Sequence, residues 1–211
     1  MIYLLSPLKK EGTYSLPMIS FETVAKSIDF SSIDTLMFTS KQAVVTADML
    51  DKGWRKFPSI AIGGATKKKI EELGGEVVYH PKAFYGKSLA EDIKSFFTDK
   101  NLLYLRPKEV SFDSKGYLAK SGIVLNEQII YQTSCVGYTE EKKPPKNSII
   151  IFTSPSTIHC FFKNFEWDGS YRAVLIGHAT KEHLPEGCAY EVADVPLIDS
   201  CIAKAKEMLK R

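Results

Sequence analysis

No segment of this chain comes near the roughly 20 consecutive apolar residues that a membrane-spanning helix needs, so a helical membrane protein is excluded. The first residues, MIYLLSPLKK, carry no basic group ahead of their short apolar run and so lack the pattern of a secretory leader. The expectation is a soluble, cytoplasmic protein. Neither sign of charge dominates: 28 Lys and Arg stand against 25 Asp and Glu, a formal excess of +3. That is too small to mark a binder of phosphate backbones, and nucleic acid is not an expected partner. Cysteine and histidine are scarce. Cys135, Cys160, Cys188 and Cys201 make no CxxC pair and show no zinc-like spacing to His80, His159, His178 or His183. No metal is expected, and the four thiols are expected to be reduced packing residues. GxGxxG and P-loop signatures are also missing, which argues against dinucleotides and nucleoside triphosphates.

What is present is apolar material, 44% of residues, ample for one large core or two small ones. It is organised by an internal repeat. At an offset of 114, FTS at 38–40 falls on FTS at 152–154, and IGGATK at 62–67 falls on IGHATK at 176–181. Eight identities over 37–67 compare with roughly two expected from ordinary composition. Weaker echoes pair MISFET at 18–23 with QIIYQT at 128–133, and YLLSP at 3–7 with YLRP at 104–107. A period this long does not fit a solenoid, so the repeat predicts two similar domains, one from residues 1 to about 100 and one from about 101 to 211.

Each copy alternates short apolar runs with amphipathic segments, the pattern of an α/β fold with a mainly parallel sheet. TLMFTS and SIAIGG read as strands. KQAVVTADMLDKG reads as a helix stopped by Gly53, and ATKKKIEELGG as a helix stopped by its glycine pair. In SLAEDIKSFF, Ser88 reads as the N-cap, with Leu89, Ile93 and Phe96 on one face. The second copy gives NSIIIFTS, STIHCFFKNF, RAVLIGHA and a final helix, LIDSCIAKAKEML.

Ligands of open α/β sheets bind beyond the carboxyl ends of the strands, where the chain turns into a helix. The FTS and IGxAT corners sit there. Ser154 is placed as an N-cap with Pro155 at the first helical position, and Ser40 is placed equivalently. A single such corner is fully explained by capping. Four of them offer backbone N–H groups, hydroxyls and positive helix ends, which together favour a ligand with many carboxylates.

Strand-FTS-helix twice, strand-IGxAT-helix twice and IIYQT between them resemble the uroporphyrinogen-III synthase family. The resemblance runs from YLLSP through SLPMISFET, FTSKQAV, IGGATKKKIEELG, LYLRP, IIYQT and FTSPSTI to IGHATKEHL. It implies two similar three-layer α/β domains with parallel sheets, joined by a two-stranded linker with a cleft between them. Residues 1–16 would join 135–211 as one domain, 24–126 would form the other, and 17–23 and 127–134 would be the linker strands, acting as a hinge.

The resemblance further implies a lyase that cyclises hydroxymethylbilane, a linear tetrapyrrole with many carboxylates, to uroporphyrinogen III. Water is lost and the last pyrrole is inverted, with no cofactor. Because the bilane also closes spontaneously to the uninverted isomer, conformer selection must accompany acceleration. The family tyrosine maps to Tyr131, the candidate acid for the departing hydroxyl. Ser40, Thr66, Ser154, Ser156 and Thr180 map to substrate-binding positions, and Arg106 in LYLRP to a side-chain cation, with Lys41 and Lys108 weaker candidates of that kind. Two departures stand out. Ser6 occupies a position near the end of the first strand where many relatives carry arginine, which leaves Lys9 or Lys10 to supply that charge. Ala179 replaces the first of two hydroxyls after the second IG, leaving Thr180 alone. A monomer is expected, possible partners being the substrate and the deaminase that makes it. The competing reading is a two-domain binding protein for small polyanions, without turnover.

Overall fold

A computed structural model describes residues 1–81 and 85–210. The chain divides into two compact units, Met1–Ser20 with Ser134–Arg211, and Phe21–Thr133. The halves marked by the repeat are therefore not the folding units. The reason is strand pairing: β1 (Ile2–Leu4) lies parallel to β9 (Ile149–Phe152), far along the chain, rather than beside β4 (Thr35–Phe38) of its own repeat copy.

In the first unit a five-stranded sheet has the order β11-β10-β9-β1-β2, where β2 is Tyr14–Ser15, β10 is Arg172–Leu175 and β11 is Tyr190–Val192. Every pairing in it is parallel. Parallel strands buried on both faces read as unbroken apolar runs, and IIIF in β9 is one, buried throughout. Ile150 and Phe152 turn to the face covered by α5 (Pro155–Asn164), while Ile149 and Ile151 turn to the face covered by α7 (Ile198–Met208). Helices on both faces of a parallel sheet make the three-layer α/β architecture.

The second sheet has six strands in the order β3-β8-β7-β4-β5-β6, of which β4 to β7 lie wholly in the second unit. Here β3 is Ile19–Thr23, β5 is Ser59–Ala61, β6 is Val77–Tyr79, β7 is Leu102–Pro107 and β8 is Leu125–Cys135. Leu36, Phe38, Leu103 and Leu105 pack with α1 (Lys41–Leu50) and α2 (Gly64–Glu72). Met37, Leu102 and Tyr104 pack on the other face with α3 (Gly86–Phe96) and α4 (Ser114–Ala119).

Several local expectations are corrected. α1 ends at Leu50, with Asp51 as its C-cap, rather than at Gly53, because the Asp51 carboxylate accepts from Gly53 N–H at 2.7 Å and starts a separate 3-10 turn. α3 begins two residues before Ser88, with Tyr85 as N-cap, and Phe96 is exposed at its C-terminal end while Ala90 joins Leu89 and Ile93 inside. The glycine stop of α2 does form: Gly74 takes φ +84°, a left-handed conformation that suits residues without a Cβ. The four reduced thiols are corrected at two positions, since Cys135 and Cys160 form a disulfide. The last residue of β8 and the middle of α5 approach to a Cα–Cα distance of 5.2 Å across 25 residues of sequence. Tertiary packing creates that proximity, and the spacing alone does not announce it. Cys188 and Cys201 are free.

Candidate functional site

The sequence repeat is reproduced bond for bond at the strand ends. In the second unit Ile62 N–H donates to the Phe38 carbonyl at 2.9 Å, and in the first Ile176 N–H donates to the Phe152 carbonyl at 3.1 Å. Thr66 N–H closes a turn on the Gly63 carbonyl at 3.1 Å, and Thr180 N–H does the same on Gly177 at 3.1 Å. Within each unit, adjacent parallel strands thus deliver an FTS corner and an IGxAT corner to the same sheet edge.

The FTS corners are capped helix starts. Ser40 Oγ accepts from Ala43 N–H at 3.0 Å, and Ser154 Oγ accepts from Thr157 N–H at 3.3 Å. Around Ser154 the cap is reciprocal. The buried Thr157 hydroxyl accepts from Thr153 and Ser154 N–H and donates to the Ser154 carbonyl at 2.7 Å, a capping box with threonine at its third position. Ser156 is exposed on the first turn of α5.

The IGxAT corners differ. α2 and α6 (His178–Lys181) start from Gly63 and Gly177 without a side-chain cap, so no hydroxyl occupies the first-turn N–H groups there. Thr66 and Thr180 are themselves buried.

Tyr131 and Ser40 come together: their hydroxyl oxygens are 2.9 Å apart. The tyrosine is 4% exposed, with its ring edge-on to Phe21 at 5.8 Å. Burial pushes its pKa up, the Ser40 contact pulling weakly the other way, so the hydroxyl keeps its proton through neutral pH.

A register shift aims this side chain. Along β7 and β8, Arg106 pairs with Ile129 but Pro107 with Tyr131, which leaves Ile130 as the extra residue. Strict alternation would send Ile130 and Tyr131 to opposite faces; the irregularity lets both enter the same core cluster. Lys108 N–H donates to the Tyr131 carbonyl at 2.9 Å and fixes the strand just past the shift.

Arg106 braces this segment. Its guanidinium meets Glu127 at 2.9 Å and donates to the Pro107 and Lys108 carbonyls at 3.0 and 2.9 Å. Both side chains of the ion pair are largely buried. Lys41 and Lys108 are exposed. Ser6 is buried and accepts from Leu8 N–H, and Lys10 pairs with Asp199 at 2.7 Å.

Sequence reasoning passed over two residues here. Tyr104 and Thr39 join their hydroxyls at 2.6 Å, next to the Ser40–Tyr131 pair. A tyrosine inside the otherwise aliphatic LLYL run of a buried strand was the available signal, because such a hydroxyl needs a partner. Among the described residues no group of His, Cys, Asp and Glu is arranged to hold a metal ion, and no helix is long and apolar enough to cross a membrane.

A family model described as uroporphyrinogen-III synthase HemD matches residues 11–203. Among solved structures, the chain is similar to a uroporphyrinogen-III synthetase from Helicobacter pylori, with 25% identity, 98% of each chain covered and a TM-score of 0.81. It is also similar to a mutant uroporphyrinogen III synthase from Thermus thermophilus, with 14% identity, 99% of this chain and 98% of that one covered, and a TM-score of 0.61. At that identity the likeness shows the fold. No curated protein matches the chain.

Proposed function

The chain belongs to the uroporphyrinogen-III synthase family, and on that premise we propose that it cyclises hydroxymethylbilane to uroporphyrinogen III with inversion of the last pyrrole and loss of water, a hydro-lyase reaction. The observation that carries this reading is the family match over residues 11–203.

The residue geometry supports roles for particular groups. Tyr131 is the donor to the departing hydroxyl. Its proton is held by burial and its direction is fixed by Ser40 at 2.9 Å. Substrate carboxylates are taken up at the helix starts: by the uncapped N–H groups of α2, and by Ser40, Ser154 and the exposed Ser156 at α1 and α5. Each carboxylate at a helix end gains about 0.3–1 kcal/mol, so several together add a few kcal/mol of affinity without any single dominant contact. Thr66 and Thr180 serve through the main-chain N–H groups that close their turns. Arg106 supports the Tyr131 segment and offers substrate only the N–H groups not already bound to Glu127, Pro107 and Lys108.

No cofactor enters this reading. Holding a flexible polyacid in one folded conformer, through many main-chain donors, is what favours the inverted closure over the spontaneous one. The same reading takes the chain to be a cytoplasmic monomer supplied with bilane by the deaminase that makes it. The test incubates the purified chain with freshly generated hydroxymethylbilane, oxidises the products and separates the porphyrin isomers. Predominance of the type III isomer is expected; an isomer mixture identical to the enzyme-free control overturns the proposal.

A further inference from the structure

We propose that Tyr104 is a positioning residue for the Tyr131–Ser40 pair, holding Thr39 from one face of the sheet while Tyr131 engages Ser40 from the other. The inference rests on the reading of Tyr131 given above. Consecutive residues of an extended segment point to opposite sides, and the turn after β4 uses this. Thr39 meets Tyr104, which packs with Met37, Leu89 and Leu118 on the α3 and α4 side. Ser40, the next residue, meets Tyr131, which packs with Phe38 and Trp54 on the α1 and α2 side. Two neighbouring hydroxyls are therefore pinned from two separate core clusters, and the dipeptide cannot roll towards either.

Ser40 has a second duty, because its Oγ caps α1 through Ala43 N–H at 3.0 Å. That cap alone leaves the hydroxyl free to swing about the helix start. The Thr39 anchor removes this freedom and sets the 2.9 Å separation from Tyr131. Tyr104 suits the task, being 2% exposed and donating or accepting over 2.6 Å. Burial raises its pKa to about 12, so it stays neutral throughout any assay near neutrality.

The experiment compares Tyr104→Phe, Thr39→Val, Thr39→Ser, Tyr131→Phe and the double variant Tyr104→Phe/Tyr131→Phe in the bilane assay, per mole of folded protein. Tyr104→Phe and Thr39→Val should each lower kcat for the inverted isomer about 5-fold, the rate equivalent of one net hydrogen bond, with KM little changed. Thr39→Ser, which keeps the hydroxyl, should retain kcat. The double variant should be no slower than Tyr131→Phe alone, because Tyr104 acts only through that pair. Wild-type kcat in both Tyr104→Phe and Thr39→Val, or losses that multiply in the double variant, overturns the inference. Should Tyr104→Phe fail to fold, Thr39→Val cuts the same bond and decides alone. A wild-type chain that gives no excess of the inverted isomer sinks the functional reading instead, so the two failures are told apart.

Discussion

Reducing the Cys135–Cys160 bond should loosen the first unit selectively, and the size of the effect follows from the chain it closes. The loop spans 25 residues. On the chain-entropy account, such a cross-link removes about 3.5 kcal/mol of freedom from the unfolded state. If the first unit melts on its own, with each kcal/mol worth about 4–8 °C for a domain of that size, reduction lowers its melting temperature by about 14–28 °C. If the whole chain melts together, the drop is about 7–14 °C. Scanning calorimetry with and without dithiothreitol reads the shift. Cys135→Ser is the control, which should melt low and ignore reductant. Thiol titration of the unfolded, unreduced chain should find the two free cysteines, Cys188 and Cys201. Coincident melts and four titrating thiols would refute the argument. In a reducing compartment the bond would open, so the oxidised fraction in quenched cells also reports the compartment.

Three other outcomes are expected. Tyr131→Phe should lower formation of the inverted isomer by about 10-fold or more, while the ring still packs edge-on to Phe21; turnover near wild type would assign the residue to packing. Ser154→Ala removes the acceptor for Thr157 N–H and half of a capping box, so stability should fall by about 1 kcal/mol in urea titrations. The exposed Ser156→Ala should stay within about 0.5 kcal/mol, and equal midpoints for the two variants would contradict the cap. Tyr104 titrates near 12 when folded against about 10 when unfolded. Its neutral form is intact in both states below pH 10, and the unfolded chain ionises first above it. Its contribution, about 2–3 kcal/mol, is therefore lost as pH climbs from 10 to 12. Tyr104→Phe should flatten that alkaline decline in urea midpoints; an unchanged slope would argue against a buried neutral hydroxyl.

The parts of the fold governed by local chemistry were legible in the sequence. FTS and IGxAT recur at a fixed offset because the same strand-to-helix turns recur, down to the Ile62–Phe38 and Ile176–Phe152 hydrogen bonds. Runs such as IIIF announced strands buried on both faces. Features that depend on distant partners were not legible. Gly53 looked like a helix stop, but Asp51 captured its N–H first. Ser88 had the chemistry of an N-cap and lies inside α3. Cys135 and Cys160 meet only because β8 ends beside α5. Arg106 read as a free cation in LYLRP, yet Glu127 lies on the adjacent strand β8 and claims it. The extra residue at Ile130 depends on pairing between β7 and β8, and a single strand's sequence does not encode that pairing. Of the residues around Tyr131, Ser40 was identified because it lies in the repeated FTS motif; the Thr39–Tyr104 bond was not, because it crosses 65 positions.

The central claim is that the chain steers ring closure rather than merely binding a polyacid. The most direct measurement is the isomer ratio of porphyrinogen formed from a fixed pulse of hydroxymethylbilane as the protein concentration is raised. The account predicts that the inverted isomer rises with protein until it displaces the spontaneous product. A ratio that stays at the uncatalysed value while bilane is visibly bound would contradict it.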